Sequence, residues 1–135
     1  MSEPFLFDTD VLSRLRRPER EPRLRAWYEA TPDAHMHLTS ITLMEIERGI
    51  AAQRGRDPVF AGHLATWRDW LVEGYGGRIL PFDEAAALQT GRLIHRLGHL
   101  SPDLQIAGIA LARDMAVATL NTRHYAPTGC RLIEI

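Results

Sequence analysis

The chain contains no lysine, and all 16 of its basic residues are arginine. This excludes chemistry that needs a lysine: a P-loop, a Schiff base or a lysine general base. Cysteine occurs once, as Cys130, so no intrachain disulfide can form and nothing calls for an oxidising compartment. No stretch approaches the ~18 consecutive apolar residues of a membrane span. The opening Met1-Ser2-Glu3-Pro4 lacks the basic region and long apolar region of a secretory signal. The expected setting is the cytoplasm, with no membrane contact. Neither sign of charge is in excess. A net charge of −1 argues against gripping nucleic acid by bulk positive charge, yet it leaves room for a basic patch beside an acidic site. Internal repeats, low-complexity tracts and linkers are also missing, so the 135 residues read as one domain spanning 1–135.

What is present alternates between short apolar runs and helical patterns. Phe5-Leu6-Phe7, Met36-His37-Leu38, Arg78-Ile79-Leu80, Ala116-Val117-Ala118 and Arg131-Leu132-Ile133 read as strands. Helices are predicted after Asp8, with Thr9 as cap, and from Pro22 to Ala30, Thr42 to Gln53 and Asp57 to Glu73. Two more run from Asp83 to Leu97 and from Ser101 to Asp114. Strands alternating with helices predict an α/β fold, a mostly parallel sheet with helices on both faces.

Three carboxylates stand where chemistry is done in such folds. Asp8 directly follows an apolar strand, and open α/β sheets bind ligands outside the carboxyl ends of their strands. A helix cap is the plainer reading of that position. Asp10, inside the first turn of the following helix, reads equally as an acid favoured there by the helix dipole. Glu45 fits a capping box with Thr42. Gly49, one turn further along the same face, instead suggests that another segment comes close beside Glu45. Asp103 shares its helix face with Ile106, Ala107, Ala110 and Leu111. It extends an apolar face to its end, and a buried carboxylate is costly unless paired or bound to metal. Asn121 follows the fourth strand and offers an amide oxygen at the same end of the sheet as Asp8. Three carboxylates with open coordination positions suit Mg²⁺ or Mn²⁺.

Phe7-Asp8-Thr9-Asp10-Val11-Leu12-Ser13, Ile41-Thr42-Leu43-Met44-Glu45-Ile46-Glu47-Arg48-Gly49, Ile79-Leu80-Pro81-Phe82-Asp83, Asp103 with its helix, and Ala116 to Tyr125 occur in this order across nearly the whole chain. Together they resemble the PIN domain, and in particular the VapC-like ribonuclease toxins of type II toxin–antitoxin systems. The resemblance implies a three-layer α/β/α sandwich and metal-dependent RNA cleavage. It also implies homodimerisation and a cognate antitoxin. Asp8, Glu45 and Asp103 match the family's metal-binding acids, and Asn121 becomes a candidate fourth ligand. The sequence departs from the family in two places. Asp10 stands where asparagine is usual, and the region of a fourth acid holds Asn121 and His124. A PIN fold that pairs with an antitoxin but no longer cuts is therefore an alternative. A haloacid-dehalogenase-like phosphatase, with Asp8 as nucleophile and Asp10 as general acid, shares the strand-Asp-x-Asp start but normally needs the missing lysine.

Two further expectations follow. Arg14, Arg16 and Arg17, next to the Asp8 turn, are the candidate RNA contacts. Trp27, Tyr28, Phe60, Trp67 and Trp70 carry more aromatic surface than two short helices need. Trp67 reads as core, and some of the others as a groove for an amphipathic antitoxin helix.

Overall fold

The computed structural model describes residues 3–135. Five strands form the sheet: β1 (Phe5–Phe7), β2 (Met36–Thr39), β3 (Ile79–Leu80), β4 (Ala116–Thr119) and β5 (Leu132–Glu134). Their order is β3-β2-β1-β4-β5 and every pairing is parallel. The predicted α/β sandwich is what forms, each strand lying within a residue or two of its expected place. The inner strands β1 and β4 are buried along their whole length because both faces of the sheet are covered there. Phe5, Leu6, Phe7 and Ala116 to Thr119 are all buried.

Among the described residues seven α-helices surround the sheet: α1 (Thr9–Leu15), α2 (Pro22–Glu29), α3 (Ser40–Arg54), α4 (Pro58–Tyr75), α5 (Glu84–Leu97), α6 (Pro102–Arg113) and α7 (Thr122–Tyr125). The two-residue period of β1 splits the core in two. Phe5 and Phe7 face Val11, Leu24, Ile50 and Leu71, from α1 to α4. Leu6 faces the other way, toward Leu93 of α5 and Ile106 and Ala110 of α6. Asp57, Asp83 and Ser101 cap α4, α5 and α6 by accepting from the N–H of Phe60, Ala86 and Leu104. Gly76, at φ +49°, ends α4 in a conformation that suits glycine.

Three local expectations are corrected. The residue that caps α3 is Thr39, whose hydroxyl accepts from Thr42 N–H, so Thr42 lies inside the helix and Glu45 is not part of a capping box. Thr9 is the first residue of α1 and Asp8 holds the cap position, without a side-chain capping bond. Gly49 admits no close neighbour: a Cβ there would meet nothing within 4 Å. The glycine that does permit close approach is Gly108 of α6, where a Cβ would stand 2.0 Å from Thr90 Oγ1 and 2.9 Å from the Ala86 carbonyl oxygen of α5.

Strand order reverses between β1 and β4, since the chain runs outward from β1 through β2 to β3 and then returns to the opposite side of β1. Connections leave such a switch point in opposite directions and open a crevice at the carboxyl ends of its strands. Asp8 ends one of those two strands and Thr119 the other.

Candidate active site

Asp8 is held at the switch point by its backbone, whose N–H donates to the Ala118 carbonyl (3.0 Å) and continues the β1–β4 ladder one residue further. Its side chain is only 7% exposed. Thr119 Oγ1 donates to Asp8 Oδ2 (3.0 Å) and also accepts from Asn121 N–H (2.9 Å), tying the end of β4 to the acid. Asp103 enters from the first turn of α6, where the Ser101 cap sets the start of the helix. Tyr125, at the end of α7, is fully buried, and its hydroxyl lies 3.1 Å from both Asp8 Oδ1 and Asp103 Oδ1. Those two carboxylate oxygens are therefore no more than twice 3.1 Å apart. His124 Nε2 hydrogen-bonds the remaining oxygen, Asp103 Oδ2, at 2.6 Å.

Glu45 approaches from α3 on the other side. Thr9 Oγ1 donates to Glu45 Oε1 (2.8 Å) and meets Thr42 Oγ1 at 2.8 Å. The side chains of Asp8, Glu45 and Asp103, with Thr9, Asp10, Ser13, Asn121 and His124, line one cleft of about 400 Å³. Three acids brought together from a strand end, a helix middle and a helix start share little but this cleft.

The grouping is unfavourable while the acids are charged. Burial pushes the Asp8 carboxyl above its ordinary range, and the negative charges of Asp103 and Asp10 add to this; the hydrogen bonds from Thr119 and Tyr125 act the other way. Glu45 is also raised, first by burial and then by Asp103 and Asp8, against the Thr9 hydrogen bond and the Arg48 charge. Tyr125 is pushed far up by burial and by the two carboxylates beside it, so it stays a neutral donor. One O–H proton cannot serve two carboxylates fully. Among the described residues no three His, Cys, Asp or Glu side chains stand as a ready-made metal cage.

The sequence-predicted residues divide as follows. Asp8, Glu45, Asp103, Asn121 and Asp10 all reach the cleft. The Asn121 amide oxygen accepts from His124 N–H (3.3 Å) and caps α7, so it serves the turn as well as the wall. Asp10 is exposed and bound to Arg14 (3.0 Å). Arg14 also pairs with Glu21 (3.2 Å), whereas Arg16 stacks over Phe60 and lines a cavity beside Glu45. Arg17 lines none of the cavities around the acids. Of the aromatic set, Trp27 packs on Phe5 and Phe7 and belongs to the core. Tyr28, Trp67 and Trp70 line an apolar cavity of about 330 Å³ with Leu12, Leu15 and Tyr75, and Trp70 is 60% exposed. Sequence reasoning missed Thr9, Thr119 and Tyr125 as partners of the acids. A hydroxyl at each of two strand-to-helix turns was the available signal for the threonines, and nothing local marked Tyr125.

Comparison with known proteins agrees with this fold. The sequence profile of the PIN domain matches residues 5–128. The chain is 42% identical to "Ribonuclease VapC14" of Mycobacterium tuberculosis over 48% of its own length and 63% of that protein, a match that spans less than two thirds of the relative. It is 29% identical to "VapC ribonuclease Y4jK" of Sinorhizobium fredii over 96% of both chains, and 29% identical to "Toxin FitB" of Neisseria gonorrhoeae over 87% and 88%. Among solved structures, FitAB bound to a DNA fragment superposes with a TM-score of 0.83 at 26% identity, covering 96% of this chain and 94% of that one. DNA-bound VapBC from Salmonella typhimurium superposes with a TM-score of 0.69 at 27% identity, covering 98% of each.

Proposed function

The chain belongs to the PIN-domain family, and from that premise we propose that it is a metal-dependent endoribonuclease, the toxin of a VapBC-like toxin–antitoxin pair. The observation that carries the reading is the meeting of Asp8, Glu45 and Asp103 in one cleft at the switch point of a parallel sheet. The names of the relatives, ribonucleases and a toxin, supply the substrate class.

The donor set is all hard oxygen, which suits Mg²⁺ or Mn²⁺. An ion held there would keep several of its waters, as Mg²⁺ does when bound through few carboxylates. Asp8, Asp103 and Glu45 would hold it. When bound, it supplies water activation and positive charge at the scissile phosphate. Thr119 and Tyr125 aim the Asp8 and Asp103 carboxylates, and Thr9 aims Glu45. The raised proton affinity of the clustered carboxyls is the electrostatic counterpart of a site built to take a cation.

The test is cleavage of a single-stranded RNA with Mn²⁺, with Mg²⁺ and with a chelator. Asp8→Asn and Asp103→Asn should each lower the rate by at least about a hundredfold while the protein stays folded. Normal cleavage by folded Asp8→Asn protein would remove the assignment. A second reading, a PIN fold that binds an antitoxin but does not cut, is favoured by the absence of a carboxylate at Asn121 and His124. Wild-type protein with no cleavage in either metal would establish it.

The antitoxin is the proposed occupant of the apolar cavity at Tyr28, Trp67 and Trp70. An exposed tryptophan beside an apolar concave site suits the apolar face of a partner helix. Trp70→Glu should abolish co-purification with the product of the adjacent gene and leave RNA cleavage unchanged. Retained co-purification would place the partner elsewhere.

A further inference from the structure

The acid cleft lies between two neighbouring cavities, each of which shares wall residues with it. On one side it shares Thr9, Ser13 and Glu45 with a cavity of about 260 Å³ whose far wall carries Arg16, Arg48, Gly49 and Trp67. On the other it shares Asp103, Asn121 and His124 with a cavity of about 470 Å³ whose far wall carries His99, Ser101 and Arg123. The centre of this trough is acidic and both ends are cationic.

The arginines at the ends are not held in ion pairs. Arg16, Arg48 and Arg123 make no ion pair among the described residues, whereas Arg25 and Arg113 pair with Glu29 and Asp83.

 The contrast is with Arg14, Arg68 and Arg131, each of which is held by carboxylates. Arg16 also sits close to Arg17 and Arg20, whose charges, after burial, make its own charge less favourable. An anion arriving there relieves that repulsion. Arg48 already acts on Glu45 across the shared wall.

We infer that a single strand of RNA lies along all three cavities, with the scissile phosphate at the acids and its neighbours held by Arg16 and Arg48 on one side and by Arg123 on the other. The inference rests on the ribonuclease reading and deepens it, because it assigns the path and strandedness of the substrate. Asp8 is almost fully buried, so the reacting phosphate must enter the cleft. A duplex fixes its phosphates on a convex surface, whereas a single strand can bend into a trough and splay its bases. Trp67, on the Arg16 side, adds an aromatic wall of the kind that bases stack on. Gly49 lines the Arg16 side of the trough. Its missing side chain leaves the trough open, since a Cβ at that position meets nothing.

Binding is measured by fluorescence anisotropy of a labelled single-stranded RNA on Asp8→Asn protein, so that binding is read without cleavage. Arg48→Ala and Arg123→Ala should each weaken binding about three- to tenfold and lower the salt slope by about one. Gly49→Leu should weaken it comparably by filling the trough, without lowering the melting temperature. Arg92→Ala, on α5 and outside all three cavities, should change nothing. Equal affinity and salt slope in Arg48→Ala and Arg123→Ala would overturn the path, as would an equal loss in Arg92→Ala. Duplex RNA bound as tightly as single-stranded RNA would overturn the strandedness. No RNA binding at all would also overturn the path, and the cleavage assay on wild-type protein would still decide the ribonuclease reading separately.

Discussion

The two helical layers close over the sheet in different ways. Between α5 and α6 the backbones approach so closely that Gly108 has no room for a Cβ against Thr90 and Ala86. In the layer of α1 to α4, Gly49 faces open space and Trp70 stands largely exposed beside an apolar cavity. The first layer is committed to packing. The second keeps concave surface for other molecules. The acids lie on the seam, because Asp103 comes from the closed layer, Glu45 from the open one and Asp8 from the strand between them. A rigid layer holding one acid and a more open layer holding another leave the cleft accessible without loosening the core.

The largest effect on stability is expected where the layers are tightest. Gly108→Ala should destabilise the protein by about 1–3 kcal/mol through overpacking, read as a lower denaturation midpoint with an unchanged m-value. Adding Thr90→Ala should recover part of that loss. An unaffected midpoint would mean that α5 and α6 separate at little cost, and the contrast between the layers would fail.

A smaller effect is expected at the seam. Burial raises the Asp8 pKa in the metal-free fold, so the folded chain holds that proton more tightly than the unfolded chain does. The stabilisation is fully present below the ordinary aspartate range and is lost as pH rises through the raised value. Asp8→Asn removes this loss. Its melting temperature in chelator should therefore exceed that of the parent at neutral pH, and the difference should shrink on acidification toward the ordinary aspartate range. A constant difference across that window would detach the effect from Asp8 titration.

The smallest effect belongs to the open layer. Gly49→Ala should stabilise the protein by about 0.5–1 kcal/mol, because alanine is the better helix former and the site has room. A loss of stability would mean that some segment does close over Gly49, and the two layers would then be alike.

The same pair of glycines shows how far the sequence could be read. A glycine inside a helix signals a packing reason, and that rule pointed to Gly49, whose neighbours across the fold are absent. Gly108 lay in an Ala/Ile-rich helix and gave no stronger signal, yet it is the one pressed against another backbone. Close approach depends on where a second helix crosses, and no local pattern encodes that. Glu45 is a similar case. The spacing Thr42-x-x-Glu45 satisfied a capping rule, but the chain turns three residues earlier, at Thr39, and frees Glu45 to meet Thr9. Asp103 was legible because an acid continuing an apolar helix face is costly unless something answers it. Tyr125 was not legible, since a tyrosine near the end of a chain looks the same whether its hydroxyl meets water or two carboxylates.

By itself the sequence determined the class of fold, because short continuous apolar strands alternating with amphipathic helices are the pattern of a parallel sheet covered on both faces. It also determined the candidate acids, because Asp8 sits at a strand end and Asp103 at the end of an apolar face. Only the tertiary structure decided how the acids are held. Thr119, Tyr125 and His124 come from 111, 117 and 21 residues away from the carboxylates they bind. Such partners are chosen by the reversal of strand order between β1 and β4, which brings distant turns to one crevice, and hydrogen bonds of a few ångströms form only after that reversal has placed them.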